Sequence, residues 1–342
     1  MVKMSSVAKL ANVSSATVSR VFNDYRYVTE KTRKKVMKAI KDLNYHPNSL
    51  AKQLRKMKTN TIIVVVPDIT NTFFSQVLKG IEIVARENGY RVLLGDTEND
   101  ITIENEYLNT LYEKQVDGLI LLTARINQNI IENITKKYPV VLACEYIKNS
   151  NFPTVSIDNI SSAQKATEHL IKLGHKRIAH ITGPKNIILC RDRLKGYLQA
   201  MKDYRLKIDQ SLILEGDFYY KTGYNLMLKL ISIDNPPTAI FAQNDEMAIG
   251  VIKAIKESNL KVPEDIAVVG FDDIKMASIC EPSLTTISQP TFKIGQRAMN
   301  LLIKILNKKI IKKRNYILEN KLIIRESCGF KKLNHQLKDK IF

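Results

Sequence analysis

Polar and aromatic side chains follow several predicted strands at the point where each strand ends. They are Asp68, Asn71, Phe73, Phe74, Asp96, Glu145, Arg191, Arg193, Asn244, Asp245, Asp272, Asp273 and Gln289. Carboxylates, amides and guanidinium groups pair with vicinal hydroxyls, and aromatic faces stack on the C–H faces of a sugar ring. Taken singly, each residue is typical of a helix cap or a surface position. Their repetition at strand ends favours a sugar-binding cleft.

The common catalytic signatures are absent from the sequence. It contains no G-x-G-x-x-G, G-x-x-x-x-G-K-[ST], G-x-S-x-G or H-E-x-x-H motif, so the usual phosphate cradles, nucleophile elbow and zinc-protease helix are missing. The four cysteines have no zinc-binding spacing. The histidines are scattered along the chain, at His46, His169, His175, His180 and His335. We therefore predict no catalytic residues, no metal site and no cofactor.

The first 45 residues have the pattern of a DNA-reading unit. Val7, Ala8, Leu10 and Ala11 predict one amphipathic helix, and Ser14 is placed to cap a second one after a short turn. This arrangement is the helix-turn-helix signature. The second helix leaves its small and polar side chains outside, namely Ser15, Ala16, Thr17, Ser19 and Arg20. Such a face suits a major groove, although a structural three-helix unit with a basic surface is the alternative.

A third helix and a basic joint follow. Thr29 is placed to cap the third helix, whose outer surface carries most of the lysines of the first 45 residues. Residues 46–60 begin with His46-Pro47 and place Leu50 and Leu54 four apart. Because so short a helix is marginal in water, two interpretations stay open: a flexible linker, and a hinge helix that forms on DNA and inserts Leu54 into the minor groove.

The remaining chain alternates apolar strands with amphipathic helices. Eight strands are predicted between residues 62 and 270, with helices between them, and this order implies parallel sheets with right-handed crossovers. About 265 residues exceed one open sheet of this kind, so we predict two Rossmann-like lobes with a ligand cleft at the strand ends. The predicted domains are a head (1–45), a hinge and linker (46–60), a two-lobed α/β body (61–330) and a basic tail (331–342).

Charge is distributed unevenly along the chain. The 342 residues carry 53 Lys and Arg against 34 Asp and Glu, and nearly all of this excess lies in residues 1–60 and 304–342. Such an excess indicates a polyanion, either nucleic acid or an anionic membrane. The N-terminus has no apolar leader and no apolar run approaches a membrane span, so we predict a cytoplasmic protein without a membrane partner. The sequence gives no reason to count the basic C-terminal part as a DNA contact.

Over essentially its whole length the sequence resembles the LacI family of bacterial transcription regulators. The segments that carry the resemblance are 7–23, 28–33, 43–51, 174–178, 263–272 and 284–287. The resemblance implies a helix-turn-helix head, a hinge helix, and a body like a type I periplasmic binding protein. It also implies a homodimer on double-stranded operator DNA. Residues 4–6 depart from the family pattern, and either Ser5 or Ser6 is expected to cap the first helix instead.

The resemblance assigns roles to individual residues. The DNA contacts it implies are Ser15, Ala16, Thr17, Arg20, Arg26, Ala51, Leu54 and Arg55. The effector contacts it implies are Phe73, Phe74, Glu145, Arg193, Phe218, Asn244, Asp272 and Gln289. Within the family, further body segments resemble a member that responds to a nucleoside, which implies a nucleoside or pentose effector.

The sequence thus predicts a dimeric repressor whose operator affinity is controlled by a small molecule bound between two lobes. Whether that molecule releases DNA or promotes its binding stays open. A sugar-binding transport receptor is the main alternative, because its two-lobed body is similar, but such a receptor needs a signal peptide and has no helix-turn-helix. An enzyme on two Rossmann-like lobes is the third interpretation.

Overall fold

The structure, a computed structural model, describes residues 2–22, 27–45, 58–125, 128–148 and 150–330. The chain divides into two compact units, Met1–Thr59 and Asn60–Phe342. The first contains the predicted head and the second contains the predicted body, and each is described separately. Most of the predicted hinge and the whole predicted tail lie outside the described residues.

Three helices form the head: α1 (Met4–Ala11), α2 (Ser15–Phe22) and α3 (Glu30–Asp42). They share a small core in which Val7, Val18 and Val36 are completely buried. Both predicted caps are confirmed, since the Ser14 hydroxyl accepts a hydrogen bond from the Thr17 N–H at 3.1 Å and the Thr29 side chain caps α3.

Two predictions about α1 are wrong. The helix begins at Met4 with Lys3 as its N-cap and has no side-chain cap, so Ser5 and Ser6 lie inside the first turn and cap nothing. Leu10, predicted on the apolar face, is 55 % exposed. Positions 7, 8 and 11 already fill the buried stripe of this two-turn helix, and position 10 lies on its flank.

The body follows an alternating order of strands and helices. In chain order its elements are β1 (Thr61–Val66), α4 (Phe73–Glu87), β2 (Arg91–Asp96), α5 (Ile101–Tyr112), β3 (Gly118–Leu121), α6 (Gln128–Lys137), β4 (Val140–Ala143), β5 (Thr154–Ile157), α7 (Asn159–Lys172), β6 (Ile178–Thr182), α8 (Ile188–Asp203), β7 (Ile213–Glu215), α9 (Tyr220–Ile231), β8 (Ala239–Ala242), α10 (Asp245–Glu257), β9 (Ala267–Asp272), β10 (Thr285–Ser288), α11 (Thr291–Leu306), β11 (Asn315–Leu318) and β12 (Lys321–Ile323).

These elements form two lobes, each around a six-stranded sheet. The N-lobe sheet has the order β11-β5-β4-β3-β1-β2, and the C-lobe sheet has the order β12-β10-β9-β8-β6-β7. All neighbouring strands of the N-lobe run parallel, so their carboxyl ends share one edge and their amino ends share the opposite edge. In the C-lobe only the β10–β12 pair is antiparallel. The two-lobed α/β fold class is confirmed.

The chain crosses between the lobes three times. The crossings lie between β5 and α7, between β10 and α11, and between β11 and β12. As a result α11 packs on the N-lobe, against α4, and the two helices approach so closely that a Cβ on Gly80 would clash with the Phe292 carbonyl oxygen. Each lobe therefore contains an element from a distant part of the chain.

All eight strands predicted from the sequence are present, three of them with the predicted bounds and the others with ends shifted by one or two residues. The prediction missed β7, β10, β11, β12 and α6 as regular elements. Buried apolar residues fill both lobes, and the six residues of β1 are all buried. No helix in the described part of the chain has the length and apolar character to cross a membrane.

Candidate functional site

The outer face of α2 is the first candidate surface. Val18 and Val21 are buried in the head core, whereas Ser15, Ala16 and Arg20 are exposed. Thr17 is only half-exposed, and its hydroxyl lies 2.9 Å from that of Ser14. The face presents small side chains and one long cation, as the sequence predicts, but the Thr17 hydroxyl already takes part in the helix cap.

Four predicted DNA contacts lie outside the described residues: Arg26, Ala51, Leu54 and Arg55. Their roles stay predictions, as does the hinge helix. Lysines and an arginine cover α3 on its outer side, with Lys31, Lys34, Lys35, Lys38 and Lys41 exposed. The described part of the head therefore combines a small-residue helix face with a basic helix.

The second candidate site is a cleft between the two lobes of the body. The space between its walls, including the open mouth, is about 710 Å³. Its lining is Pro67, Asp68, Asn71, Phe73, Phe74, Asn99, Thr123, Arg125, Cys144, Glu145, Leu189, Arg193, Asp217, Phe218, Tyr219, Asn244, Glu246, Asp272 and Gln289. All eight residues predicted to contact an effector are among them. Their contacts with an effector stay predictions.

Arg193 is the buried centre of the C-lobe wall. Its Nε donates a hydrogen bond to Asn159 Oδ1 at 2.9 Å, and its Nη1 donates to the Gln243 carbonyl at 2.6 Å. The guanidinium carbon lies 3.7 Å from the centroid of the Phe271 ring. These contacts fix the plane of the guanidinium group and use two of its five N–H groups.

Asp272 ends β9 beside this arginine. Arg193 Nη2 lies 3.7 Å from Asp272 Oδ1, an ion-pair distance too long for a direct hydrogen bond. Gln289 Nε2 donates to the same oxygen at 2.7 Å. Burial raises the pKa of the Asp272 carboxyl to about 7, against the opposing effects of Arg193 and Gln289. The C-lobe wall thus holds a carboxyl group that changes charge near neutral pH.

Asn244 and Phe218 close the C-lobe wall. The Asn244 side chain caps α10 by accepting from the Met247 N–H at 3.0 Å, and its Nδ2 donates to the Phe218 carbonyl at 2.8 Å. Phe218 itself has a positive φ of 76°, a conformation that is uncommon for a bulky residue. Asn244 therefore serves as a helix cap, as expected for such a residue taken singly, while it also lines the cleft.

The N-lobe wall is organised around one ion pair. Arg125 Nη1 lies 3.1 Å from Glu145 Oε1, and both side chains are largely buried. The backbone N–H of Arg125 donates to the buried Glu104 carboxylate of α5. Phe73 and Phe74 pack edge to face, with centroids 5.1 Å apart, and supply the apolar part of this wall.

Two phenol–carboxylate hydrogen bonds cross from one lobe to the other. Tyr219 Oη donates to Asp68 Oδ2 at 2.9 Å, and Tyr146 Oη donates to Asp192 Oδ2 at 2.7 Å. The bond to Asp68, together with burial, raises the pKa of Tyr219 to about 12. Tyr219 lines the cleft and Tyr146 follows Glu145, so the closed arrangement of the lobes has direct polar support.

Sequence reasoning missed several lining residues. Arg125 is the most important one, because it neutralises Glu145. Tyr219 follows a predicted wall residue directly, yet its partner Asp68 lies 151 positions away. Arg125 lies within three positions of a predicted strand end. It would be found if every polar residue that close to a strand end were treated as a candidate. No local signal in the sequence reveals Tyr219.

The described residues do not form a metal centre, since no group of three or more His, Cys, Asp or Glu side chains among them is arranged to hold an ion. Three of the four cysteines are buried, and all are free thiols. What the cleft can do chemically is bind: it offers fixed hydrogen-bond donors and acceptors beside aromatic rings. The fold and the two candidate surfaces together define a ligand-binding body joined to a helix-turn-helix head.

Comparison with known proteins agrees with this class. Residues 3–48 match "Bacterial regulatory proteins, lacI family", and residues 167–328 match a "Periplasmic binding protein-like domain". The HTH-type transcriptional repressor CytR of Escherichia coli (strain K12) is 38 % identical over 325 residues, 95 % of each chain. The ribose operon repressor of the same strain is 42 % identical over 306 residues, covering 89 % of this chain and 92 % of the repressor.

A solved structure extends the match to three dimensions. The lac repressor dimer bound to operator and the anti-inducer ONPF has a TM-score of 0.87 and 30 % identity, covering 96 % of this chain and 99 % of the repressor chain. The chain belongs to the lacI family of bacterial regulatory proteins. It is a DNA-binding transcription regulator, and its relatives are regulators rather than enzymes. The transport-receptor alternative is not favoured, because the matches include the head.

Proposed function

We propose that the chain is a homodimeric repressor whose affinity for operator DNA is set by an uncharged nucleoside or pentose bound in the cleft. The observation that carries this proposal is the pairing of fixed polar groups with aromatic rings between the two lobes. Such a combination recognises a polyol ring by hydrogen bonds at its edge and by apolar contact at its face. Resemblance to a nucleoside-responsive family member and similarity to a ribose operon repressor support the ligand class.

The charge of the cleft narrows the ligand further. Five carboxyl groups line it, against the guanidinium groups of Arg125 and Arg193, and Arg125 is already paired with Glu145. A phosphorylated sugar or nucleotide would bring further negative charge into this surrounding and be repelled. The balance therefore favours a neutral ligand over its phosphorylated form.

On the DNA side, two heads would read the half-sites of a near-palindromic operator. In this proposal Ser15, Ala16, Thr17 and Arg20 face base edges, while Arg26, Ala51, Leu54 and Arg55 act at the backbone and at the central minor-groove step. The similar lac repressor structure contains a dimer bound to operator, which supports the stoichiometry. Ligand and DNA are coupled only if the ligand prefers one arrangement of the lobes over the other.

A thermal-shift screen tests the ligand half of the proposal. Full-length protein is heated with single nucleosides, pentoses, hexoses and the matching nucleoside monophosphates, first alone and then with an operator duplex selected from a random library. We expect a nucleoside or pentose to raise the unfolding temperature and its monophosphate to have little effect. Stabilisation by the monophosphate but not by the nucleoside would overturn the proposed ligand class. The difference between the ligand-induced shifts in unfolding temperature with and without the duplex measures the coupling between ligand and DNA.

A further inference from the structure

The N-lobe carries a strongly basic segment on the edge opposite the cleft. The segment comprises the last turn of α11 and the connection to β11, and its cations, called here the basic edge, are Lys304, Lys308, Lys309, Lys312, Lys313 and Arg314. No acidic residue lies between residues 304 and 314, and all six side chains belong to exposed residues. The DNA contacts proposed for the head and the hinge do not include this cluster.

The fold places the basic edge where the chain enters from the head. β11 pairs with β5 in parallel from Asn315 onward, so Arg314 lies at the amino edge of the all-parallel N-lobe sheet. Thr61, the first residue of β1, lies at the same edge. β1 and β11 are four strand spacings apart, which is about 19 Å. The segment that joins the head to the body therefore enters the body at this edge.

A groove beside the basic edge adds further cations. Arg314, Ile311 and Lys136 contribute to its lining, and the space within it, including its open side, is about 960 Å³. Lys136 and Lys137 end α6 at the same amino edge and are exposed. One carboxylate, that of Glu132, also lies in the lining.

Internal ion pairs do not consume this charge. Among the residues that the structure describes, none of the six cations of the basic edge forms an ion pair. Exposed charges that are closer together than the Debye length of about 8–10 Å reinforce one another in physiological salt. The edge consequently presents a positive field suited to a polyanion rather than to a single small anion.

We propose that the basic edge binds phosphates of the duplex DNA that flanks the operator. This inference rests on the proposed operator binding, since the head must first bring a duplex to the protein. DNA is favoured over an acidic protein because the DNA-binding head is joined to the body at this edge. Each phosphate contact formed there adds about 0.9 to the slope of log K against log salt concentration.

Two operator duplexes and two matched variants test the proposal. The first duplex contains only the selected operator, roughly 20 bp, and the second contains the same operator within about 50 bp. The variant Lys308→Gln/Lys309→Gln/Lys312→Gln removes three cations of the basic edge. The control Lys202→Gln/Lys207→Gln/Lys229→Gln removes three exposed cations of the C-lobe and changes the net charge equally.

We expect wild-type protein to bind the longer duplex more tightly and with a steeper salt slope. The basic-edge variant should bind the short duplex like wild type, which also shows that it is folded. On the long duplex its salt slope should fall by about 2 to 3, and its affinity at low salt by about tenfold. Equal binding of the long duplex by wild type and this variant, or an equal loss in the control, overturns the inference. Failure of wild type to select any operator would instead contradict the proposed function.

Discussion

The two walls of the cleft obtain their polar character in different ways. On the C-lobe wall Arg193 is held by Asn159, by the Gln243 carbonyl and by the Phe271 ring, and most of its N–H groups are not used in those hydrogen bonds. On the N-lobe wall Arg125 is paired with Glu145, and two phenylalanine rings cover much of the remaining surface.

This difference separates recognition from closure. Groups that are fixed before a ligand arrives lose little entropy when it binds, so the C-lobe wall is suited to recognise hydroxyl groups. The N-lobe wall satisfies its own charges and supplies an apolar face, so its contribution is to cover the ligand when the lobes approach. Substitutions on the two walls should consequently differ in kind and in size.

The largest effect is expected for Arg193→Ala. Losing two or more charge-assisted hydrogen bonds to the ligand, each worth about 1.5–3 kcal/mol, should weaken binding by at least a hundredfold. The substitution also removes the cation beside Asp272, so the pKa of that carboxyl should rise further, and the loss of the hydrogen bonds to Asn159 and to the Gln243 carbonyl should lower the free energy of unfolding by about 1–3 kcal/mol. Titration calorimetry with the ligand that gives the largest thermal shift measures the first effect, and urea unfolding measures the second.

Arg191→Ala is the matched control, because Arg191 is exposed two positions away on α8 and does not line the cleft. Should the alanine variant of Arg193 fail to fold, Arg193→Lys retains the charge and loses only the planar geometry. Ligand affinity within twofold of wild type in a folded Arg193 variant would show that the C-lobe wall is not the recognising surface.

A smaller effect, mainly on stability, is expected for Arg125→Met. The Glu145 carboxylate would remain buried without a cation, so the free energy of unfolding should fall by about 3 kcal/mol. The double variant Arg125→Met/Glu145→Gln should recover most of this loss, because a removed pair costs less than a broken one. Urea denaturation of the single and double variants measures both steps. If the double variant is no more stable than Arg125→Met, the arginine stabilises the fold through contacts other than the one with Glu145.

Residue pattern and resemblance predicted the walls to different extents. The sequence placed polar residues at strand ends because β1, β4, β8 and β9 are continuous buried runs whose limits are clear. It could not tell from local pattern that Arg193 is buried while Arg191 is exposed, since both lie on one helix start. That choice came from the resemblance. The Arg125–Glu145 pair is set by the approach of β3 and β4, which no local pattern records.

The missed elements have physical reasons of their own. β11 is an edge strand with exposed residues at alternate positions, β12 is equally exposed, and neither has the apolar run of a central strand. β7 has only three residues. Six of the ten residues of α6 are isoleucine, asparagine or threonine, which are poor helix formers, so its packing against the N-lobe core rather than its propensity makes it helical.

A third prediction concerns pH and again separates the walls. The buried Asp272 carboxyl has a pKa of about 7, raised from 3.8, so between these values the native state binds more protons than the unfolded state does. The contribution of Asp272 to the free energy of unfolding should therefore fall as pH rises through this window, by up to about 1.4 kcal/mol per pH unit, and level off above it. The buried Asp245, whose pKa is also raised by burial and by Asp272, acts in the same direction.

Urea unfolding between pH 5 and pH 8 tests this prediction with wild type and Asp272→Asn. The slope of the asparagine variant should be less negative than that of wild type, because the contribution of Asp272 is lost while those of the other groups with shifted pKa values, such as Asp245 and the buried His180, remain. Glu145→Gln, on the opposite wall, is the control and should keep the wild-type slope. A slope that Asp272→Asn leaves unchanged would assign the pH dependence to other groups.

The smallest effects are expected where the walls meet. Tyr146→Phe removes the hydrogen bond to Asp192, and Tyr219→Phe removes the one to Asp68. A single hydrogen bond contributes about 0.5–1.5 kcal/mol, so Tyr146→Phe should weaken ligand binding about two- to tenfold by favouring separated lobes. Tyr219→Phe should have less effect, because Tyr219 is 47 % exposed and its bond competes with water.

Tyr224→Phe provides the matched control for both variants. Its phenol donates to Glu257 at 2.6 Å, and both residues lie in the C-lobe, so its loss leaves the contact between the walls intact. If the two walls close as rigid bodies, the losses in ligand affinity of Tyr146→Phe and Tyr219→Phe add in the double variant. If calorimetry gives Tyr146→Phe and Tyr219→Phe the same ligand affinity as Tyr224→Phe, these two hydrogen bonds do not hold the lobes together. Recognition and closure would then both depend on the groups deeper in the cleft.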